Sequence, residues 1–478
     1  MEAAHIIQPN PLWIAPFVAL LLGIALMPFI AKEWWHRRYP WVALALGALT
    51  TGYYAIGLNN GARMLHSFHE YVSFICLIGS LFVVSGGIHI RVRGESRPLV
   101  NVLYLLCGGL LANVLGTTGA SMLLIRPFLR TNKYRLTSYH IVFFIFIVSN
   151  VGGCLTPLGD PPLFLGYLRG VPFLWVAEHC WAIWAFAMVA LLGIFWILDY
   201  LDFMRAPKEV REKETSHEQW RFDGLHNLFF LGLILVAVFL QQPPFLREAL
   251  MIAAAVGSYF TTAKTVHEAN HFDFEPLKEV AFLFAGIFAT MVPALDWLEL
   301  NSSKFGIATA GQFYWGSGVL SSVLDNAPTY LSYLAASIGL FVDQDIVSQV
   351  QQLVAAHGSN LSIVVGPHMD EIKATLAAIQ KYHPELLAAG SVSLEQVQVC
   401  YLLGNHNLYI VAISVGAVFF GACTYIGNGP NFMVKSIAEH AGAKTPSFFG
   451  YVFKFVLPLL LPVLAAVWWM WFRGGVME

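Results

Sequence analysis

Apolar stretches of roughly 20 residues, the length at which a helix crosses the ~30 Å hydrocarbon core of a bilayer, recur along this chain from residue 13 to residue 472. Ten stretches fit that length: 13–31, 41–58, 70–90, 139–168, 172–198, 225–241, 247–263, 279–298, 400–440 and 449–472. No segment between them is long enough for an independent soluble domain, so the pattern predicts an all-α polytopic membrane protein. Only 12% of the residues are charged, about half the share usual in soluble proteins. The formal net charge of −2 offers nothing to nucleic acid. The lipid bilayer is the one partner that composition demands. The N-terminal run MEAAHIIQPNPLW has neither a basic region nor a small-residue cleavage pattern, so no signal peptide is expected to be removed. Cys76, Cys107, Cys154, Cys180, Cys400 and Cys423 form no C-x-x-C pair and read as small buried apolar residues.

Two further stretches, 98–125 and 312–342, are long enough to cross once but are interrupted at their centres by Gly, Thr, Asn or Pro. Arg91, Arg93 and Arg97 precede the first, and Arg126, Arg130, Lys133 and Arg135 follow it. Basic loops are cytoplasmic, so both ends lie inside and the stretch is expected to be a re-entrant hairpin with its GTTG tip near mid-membrane. Alternation from there puts 19 Lys and Arg inside and seven outside, and both termini outside the cytoplasm of an inner membrane. The second interrupted stretch then dips from the opposite face.

The halves align directly. Residues 152–164 (GGCLTPLGDPPLF) match 420–432 (FGACTYIGNGPNF) without gaps, sharing Gly153/Gly421, Thr156/Thr424, Gly159/Gly427, Pro162/Pro430 and Phe164/Phe432. Glu70 precedes Thr118 by 48 residues and Glu279 precedes Asn326 by 47. The larger gap between Asn326 and Thr424 marks 343–399 as an insertion. Its helical patterns lie near 345–356 and 370–382, and Ser393 with Gln396 is placed to cap the next helix. Each half thus reads as five spans, one of them broken, plus one hairpin. Repeat 1 covers 1–200, with hairpin 98–125 and broken span 139–168. A cytoplasmic linker covers 201–224, and repeat 2 covers 225–478, with hairpin 312–342, the non-cytoplasmic insertion 343–399 and broken span 400–440. Five crossings invert the second half relative to the first, the construction of a secondary transporter.

Non-helical backbone at membrane depth survives only where it faces protein or a polar cavity, so the four interruptions mark the expected site. Asp160 and Asp325 are its sharpest residues, since an intramembrane carboxylate is paired, protonated or functional. Each could alternatively cap a resuming helix, although Asn428 holds the position matching Asp160 and would cap without a charge. Thr118, Ser121, Thr156, Asn326, Thr329, Thr424 and Asn428 offer oxygens suited to an alkali cation, or satisfy kinked backbone. Thr117, Asn150, Asn405 and Asn407 are weaker candidates. Glu70 and Glu279 are expected to open spans, complementing helix N-termini. His66 and His69 read as loop histidines. Trp34, Trp35, Trp469 and Trp471 read as interfacial anchors. His267-Glu268-Ala269-Asn270-His271 matches H-E-x-x-H, but no third ligand or long apolar helix accompanies it, and no zinc site, cofactor or enzymatic constellation is expected.

The hairpins, broken spans and the blocks SNVGGCLTPLGDPPLFLG and LDNAPT resemble the ion transporter superfamily, which includes NhaD-type sodium/proton antiporters, citrate and dicarboxylate carriers and arsenite exporters. Asp325-Asn326-x-Pro328 is similar to the D-N-x-P tip of NhaD-type antiporters, whereas the first tip departs, with Gly-Thr-Thr-Gly where the resemblance leads one to expect an acidic pair. The resemblance implies a homodimer with an elevator-like movement. With two intramembrane acids and no comparably buried Lys or Arg expected, the leading function is exchange of Na+ or Li+ for H+ at one polar site. The alternative is a sodium- or proton-coupled citrate or dicarboxylate carrier. A channel or a membrane enzyme is a remoter reading.

Overall fold

The computed structural model describes residues 7–91, 97–133, 135–205, 221–240, 243–270, 272–357 and 368–474. Most of the linker 201–224, with Arg93 and His271, lies outside the described residues. Helices dominate: α1 (Ala15–Ile30), α2 (Lys32–Gly52), α3 (Gly61–Gly86), α4 (Pro98–Thr131), α5 (Ser138–Ile147), α6 (Pro161–Leu168), α7 (Trp175–Arg205), α8 (Asn227–Val238), α9 (Leu246–Thr261), α10 (Lys264–Ala269) and α11 (Glu275–Asn301). They continue as α12 (Ala310–Val323), α13 (Asn326–Phe341), α14 (Gln344–His357), α15 (Met369–Tyr382), α16 (Pro384–Ala389), α17 (Leu394–Asn405), α18 (Asn407–Phe420), α19 (Gly429–His440) and a last helix α20 (Phe448–Phe472). Among the described residues six helices are long and apolar enough to cross a membrane, or seven counting one bent pair. This is a polytopic membrane protein. The only strands described, β1 (His89–Arg91) and β2 (Arg221–Asp223), pair antiparallel with Ile90 opposite Phe222 and tie the end of α3 to the end of the linker.

The helices that start the two interrupted spans occupy the centre. HIVFFIFI in α5 and IVAISVGAVFF in α18 are apolar on every face, and every residue of His140–Ile147 and of Ile410–Phe420 is buried. Apolar sequence would suit lipid as well as the middle of the bundle, and the polar residues that α5 carries point to the middle: His140 is held there by Asp199 at 3.1 Å. Around it stands a frame in which α2 crosses α11 closely: a Cβ on Gly286 would lie 2.8 Å from that of Ala43, and one on Gly47 3.2 Å from that of Ala289. Small residues at a crossing let backbones approach where burial of apolar surface gives no driving force between helices.

The stretch 98–125 folds back on itself. A straight helix over the 34 residues of α4 would be about 51 Å long. Instead Asn101 and Asn132 exchange amide hydrogen bonds at 2.8 and 3.1 Å, and the Tyr104 hydroxyl donates to the Leu124 carbonyl at 2.8 Å. The reversal occurs at Gly116, whose φ of 75° is strained for any residue with a Cβ. The second hairpin is α12 and α13, turning at extended Leu324 and Asp325, with the Phe313 ring 5.9 Å from Tyr333 and 6.1 Å from Phe341.

The insertion is a small helical subdomain. Helices α14 to α17 share their own apolar core, including Ile346, Val350, Ile372, Leu376, Ile379, Val397 and Cys400. The expected capping box of Ser393 and Gln396 opens α17. The subdomain reaches further than 399: α17 and the following helix are bent by 99° at His406, so the span that starts at residue 400 in the sequence starts at Asn407 in space. Residues 400–405 read as membrane because Cys400 and Tyr401 join the insertion's apolar core while Leu402 and Leu403 pack into the main one.

Three smaller expectations change. Glu70 and Glu279 do not open helices, because α3 begins at Gly61 and α11 at Glu275. Trp34 and Trp469 are exposed, but Trp35 is buried against Gly23. Cys107 is exposed and Cys76 half-buried, while the other four cysteines are buried.

Candidate functional site

The four interruptions meet at one point, with Asp160 in the middle. Asp160 stands at the N-cap of α6, yet its side chain makes no capping hydrogen bond. Its carboxylate, 0% exposed, instead accepts from three directions. Thr117 Oγ1 at the tip of the first hairpin donates to Oδ1 at 2.9 Å, Asn428 Nδ2 of the second broken span donates to the same oxygen at 3.0 Å, and Asn326 Nδ2 at the second tip donates to Oδ2 at 2.7 Å. Pro161 and Pro162 occupy the first turn of α6, where missing N–H groups cost nothing. That spares Asp160 from capping duty and leaves it to accept elsewhere.

A layer of amides holds these donors in place. Asn428 Nδ2 is shared with the Ser149 carbonyl and Asn150 Oδ1, both at 3.1 Å. Asn150 in turn donates to the Ile145 carbonyl at 2.8 Å and to Asn431 Oδ1 at 2.7 Å, and Asn431 donates to the carbonyls of Gly421 and Thr424, both at 2.8 Å. Ser321 Oγ lies 2.6 Å from both Asn326 Oδ1 and the Ala417 carbonyl. Ser121 and Ser149 share a hydrogen bond at 2.8 Å. In each half a threonine closes the loop onto its own hairpin: Thr156 Oγ1 donates to the Asn113 carbonyl at 2.5 Å, and Thr424 Oγ1 to the Ser322 carbonyl at 2.6 Å.

Electrostatically the junction is one-sided. All three partners of Asp160 are neutral, so an ionised Asp160 leaves a whole negative charge buried at the centre of the molecule. Such a charge costs several kcal/mol even after relaxation, and hydrogen bonds to an ionised acceptor return about 1.5–3 kcal/mol each. The three bonds thus offset a cost of the same order and keep the carboxylate tolerable where it is buried, and a proton or a cation neutralises its charge. Asp325 is a different kind of group: half-buried, it caps α13 by accepting from the Ala327 amide at 3.1 Å.

The other candidates divide by position. Thr117 and Thr118 both line a small, mainly apolar cavity of about 30 Å³ between α3 and the first tip, bounded by Leu77, Leu81, Leu115, Leu158 and Phe164, and of the two Thr117 makes the contact to Asp160. Thr329 Oγ1 donates to the Asp325 carbonyl at 3.1 Å, which satisfies helix backbone. Asn405 donates to Thr375 Oγ1 at 3.2 Å inside the insertion, and Asn407 is exposed at the start of α18, so neither reaches the junction. Around the H-E-x-x-H run, the His267 ring packs 5.2 Å from Tyr259 and 5.1 Å from Phe272, and among the described residues no three His, Cys, Asp or Glu side chains are grouped as a metal site.

Sequence reading passed over Asn113, Ser321 and Asn431. Asn113 is one helical turn before Thr117, and Asn431 follows Asn428 by three residues, so a search for amides one turn from the interruptions would have found both. The expectation of no buried Lys or Arg is overturned. Arg63 and Arg135 are buried, and Arg169 nearly so, each against a carboxylate: Asp296, Asp199 and Glu70 respectively. They escape a hydropathy reading because each sits beside a long apolar run and is neutralised by an acid far away in sequence.

Comparison with known proteins gives two relatives from Mycobacterium tuberculosis, "Uncharacterized transporter MT2759" of strain CDC 1551 / Oshkosh and "Uncharacterized transporter Rv2685" of strain ATCC 25618 / H37Rv. Each is 24% identical over 359 residues, covering 68% of this chain and 82% of the relative. The family model described as "Putative citrate transport" matches residues 7–472, nearly the whole chain. The chain therefore belongs to that citrate-transport family of membrane proteins.

Proposed function

We propose that this protein is a cation-coupled secondary active transporter in which Asp160 alternates between a cation and a proton, and that it exchanges Na+ or Li+ for H+. The observation behind this reading is the setting of Asp160: wholly buried, aimed away from the helix it precedes, and surrounded by neutral donors from both hairpin tips and the opposite broken span. Such a group exchanges positive charge with whatever ion reaches it. Asn326, Asn428 and Thr117 orient its oxygens, and the amide layer behind them fixes the shell.

The repeated features favour an inverted-repeat transporter: two hairpins, two interrupted spans, and matching closures at Thr156 and Thr424. On this reading the hairpins dip from opposite faces of an inner membrane, both termini lie outside the cytoplasm, and a homodimer moves hairpins and broken spans together against the frame. The cavity between α3 and the first tip lies on the boundary that such a movement would shear. A second reading, a sodium- or proton-coupled carrier of citrate or another small carboxylate, is favoured by the family's own description. It uses Asp160 for the coupling cation.

Purified protein in liposomes with an imposed pH gradient tests both. Na+ or Li+ added alone is expected to move protons, and Asp160→Asn to abolish that movement. If labelled citrate accumulates while Na+ alone moves no protons, the carrier reading replaces the exchanger. Unimpaired coupling in Asp160→Asn overturns both.

A further inference from the structure

Nine residues beyond Asp160, at the other end of α6, two arginines converge on one carboxylate from the insertion. Each arginine first has a dedicated acid in the frame. Arg63 in α3 donates from Nε and Nη2 to Asp296 Oδ1 at 3.1 and 2.9 Å, with the Tyr54 hydroxyl on the other oxygen at 2.8 Å. Arg169, the C-cap of α6, sets Nε 2.6 Å from Glu70 Oε1 and donates from Nη2 to Glu70 Oε2 at 3.0 Å. The remaining Nη1 of each points the same way. Glu395 Oε1 lies 3.2 Å from Arg63 Nη1 and 3.3 Å from Arg169 Nη1, and its Oε2 lies 3.4 Å from His66 Nε2.

Burial separates the host from the guest. The Arg63 and Arg169 side chains are 5% and 14% exposed, whereas Glu395 is 35% and His66 38% exposed. The arginines are therefore built into the frame and the end of α6, and the acid that joins them reaches in from a peripheral helix with one side open. Without Glu395, the Nη1 group of each arginine would lack this acceptor, at a cost of the kind that drives ligand binding, while His66 Nε2 would keep only Glu70 Oε1 at 3.6 Å. The fork of an arginine matches a carboxylate in shape as well as charge.

We propose that Arg63, Arg169 and His66 form a carboxylate-binding site, that Glu395 occupies it here as a tethered ligand, and that a free di- or tricarboxylate displaces Glu395. The site lies apart from the Asp160 junction, so it goes beyond both transport readings. Its occupancy has a mechanical consequence. Helix α17, which carries Glu395, packs Gln396 and Val399 against Gly170 just past α6, and His383 Nε2 lies 3.0 Å from the Gly170 carbonyl. The same helix bends directly into α18. A carboxylate that releases Glu395 thereby loosens the insertion from one broken span while it stays covalently joined to the other.

Citrate binding to the full-length protein in detergent, measured by titration calorimetry with acetate for comparison, tests this. Glu395→Ala removes the tethered competitor and is expected to tighten citrate binding at least tenfold, with a smaller gain for acetate. Adding Arg169→Gln to Glu395→Ala is expected to return affinity to the wild-type level or below. Adding His66→Gln, at a more exposed position, gives a partial loss should the arginine variant not fold. Equal citrate affinity in wild type and Glu395→Ala overturns the proposal. So does a gain that survives both the Arg169 and the His66 substitutions. If citrate binding is instead lost only with Asp160→Asn, the carboxylate sits at the junction: this proposal fails and the carrier reading stands.

Discussion

Gly421 is where the junction is tightest, and adding one methyl group there gives a quantitative test of it. A Cβ on Gly421 would lie 2.5 Å from Asn326 Oδ1, 2.8 Å from Asn326 Nδ2 and 2.8 Å from Asn150 Oδ1. A carbon and an oxygen settle at about 3.3 Å or more, so in Gly421→Ala the Asn326 amide must recede by about 0.8 Å. Its bond to Asp160 is 2.7 Å long, and a retreat along that bond takes it to about 3.5 Å, beyond the usual hydrogen-bonding distance. Losing one hydrogen bond to a charged acceptor costs about 1.5–3 kcal/mol, equivalent to roughly ten- to a hundredfold in any equilibrium that depends on the ordered shell. The control lies eight residues on, in the same broken element: a Cβ on Gly429 meets nothing within 4 Å. Initial rates of Na+-driven proton movement in liposomes, at matched protein density, are expected to fall ten- to a hundredfold in Gly421→Ala and to stay within about twofold in Gly429→Ala. Equal rates in the two variants would mean that the Asn326 bond does not order the working site.

Three further substitutions separate the roles of neighbouring residues. Asp160→Asn is expected to abolish coupled transport while keeping the fold, because the amide oxygen still accepts from the donors around it and the costly buried charge is gone, while its NH2 facing a donor lowers the unfolding temperature in detergent by no more than several degrees; a collapse in stability would point to a purely structural carboxylate. Thr117→Val removes a donor to Asp160 and is expected to slow transport about tenfold, the equivalent of a lost hydrogen bond, whereas Thr118→Val, facing the apolar cavity, stays within about twofold in the same assay. Asn405→Ala, whose amide serves the insertion, is expected to leave transport rates within about twofold and to lower the unfolding temperature slightly.

Sequence placed the interruptions well, because glycine, proline and polar residues inside apolar runs report directly on backbone that cannot continue a helix. Breaks in helical backbone fall inside both of those stretches, at Gly116 and at Leu324 with Asp325. What sequence could not settle was which oxygen of a tip faces inward. Thr117 and Thr118 are adjacent and chemically alike, and one helical step of about 100° decides which of them meets Asp160. Nor could it separate the two aspartates. Both precede a helix and both invite a capping reading, yet Asp325 caps α13 while Asp160 is drawn off by three donors distant in sequence. The arginines were hidden for a related reason. Hydropathy is a local sum, and the partners that make Arg63 and Arg169 tolerable come from α11, from α3 and from the insertion.

The amide layer also explains why position 160 carries a carboxylate and the aligned position 428 an amide. Asn431 is oriented by donating to the carbonyls of Gly421 and Thr424, so its Oδ1 must accept from Asn150; Asn150, donating there and to the Ile145 carbonyl, must present its own Oδ1 to Asn428. Position 428 is therefore faced by two acceptors, Asn150 Oδ1 and the Ser149 carbonyl, and needs a donor. Position 160 is faced by three donors and needs an acceptor. The two residues align in sequence but cannot exchange places: an aspartate at 428 meets two acceptors about 3 Å away, and no single amide can turn without breaking the bonds behind it. The double variant Asp160→Asn with Asn428→Asp keeps the composition and the number of carboxylates unchanged. It is expected to remain as inactive as Asp160→Asn alone, and to be destabilised by about 3–5 kcal/mol, the usual cost of a buried charge without a partner, measured by denaturant unfolding in detergent. Recovery of proton-coupled transport to within tenfold of wild type would show that the direction of the hydrogen bonds does not dictate which half carries the ion-exchanging carboxylate.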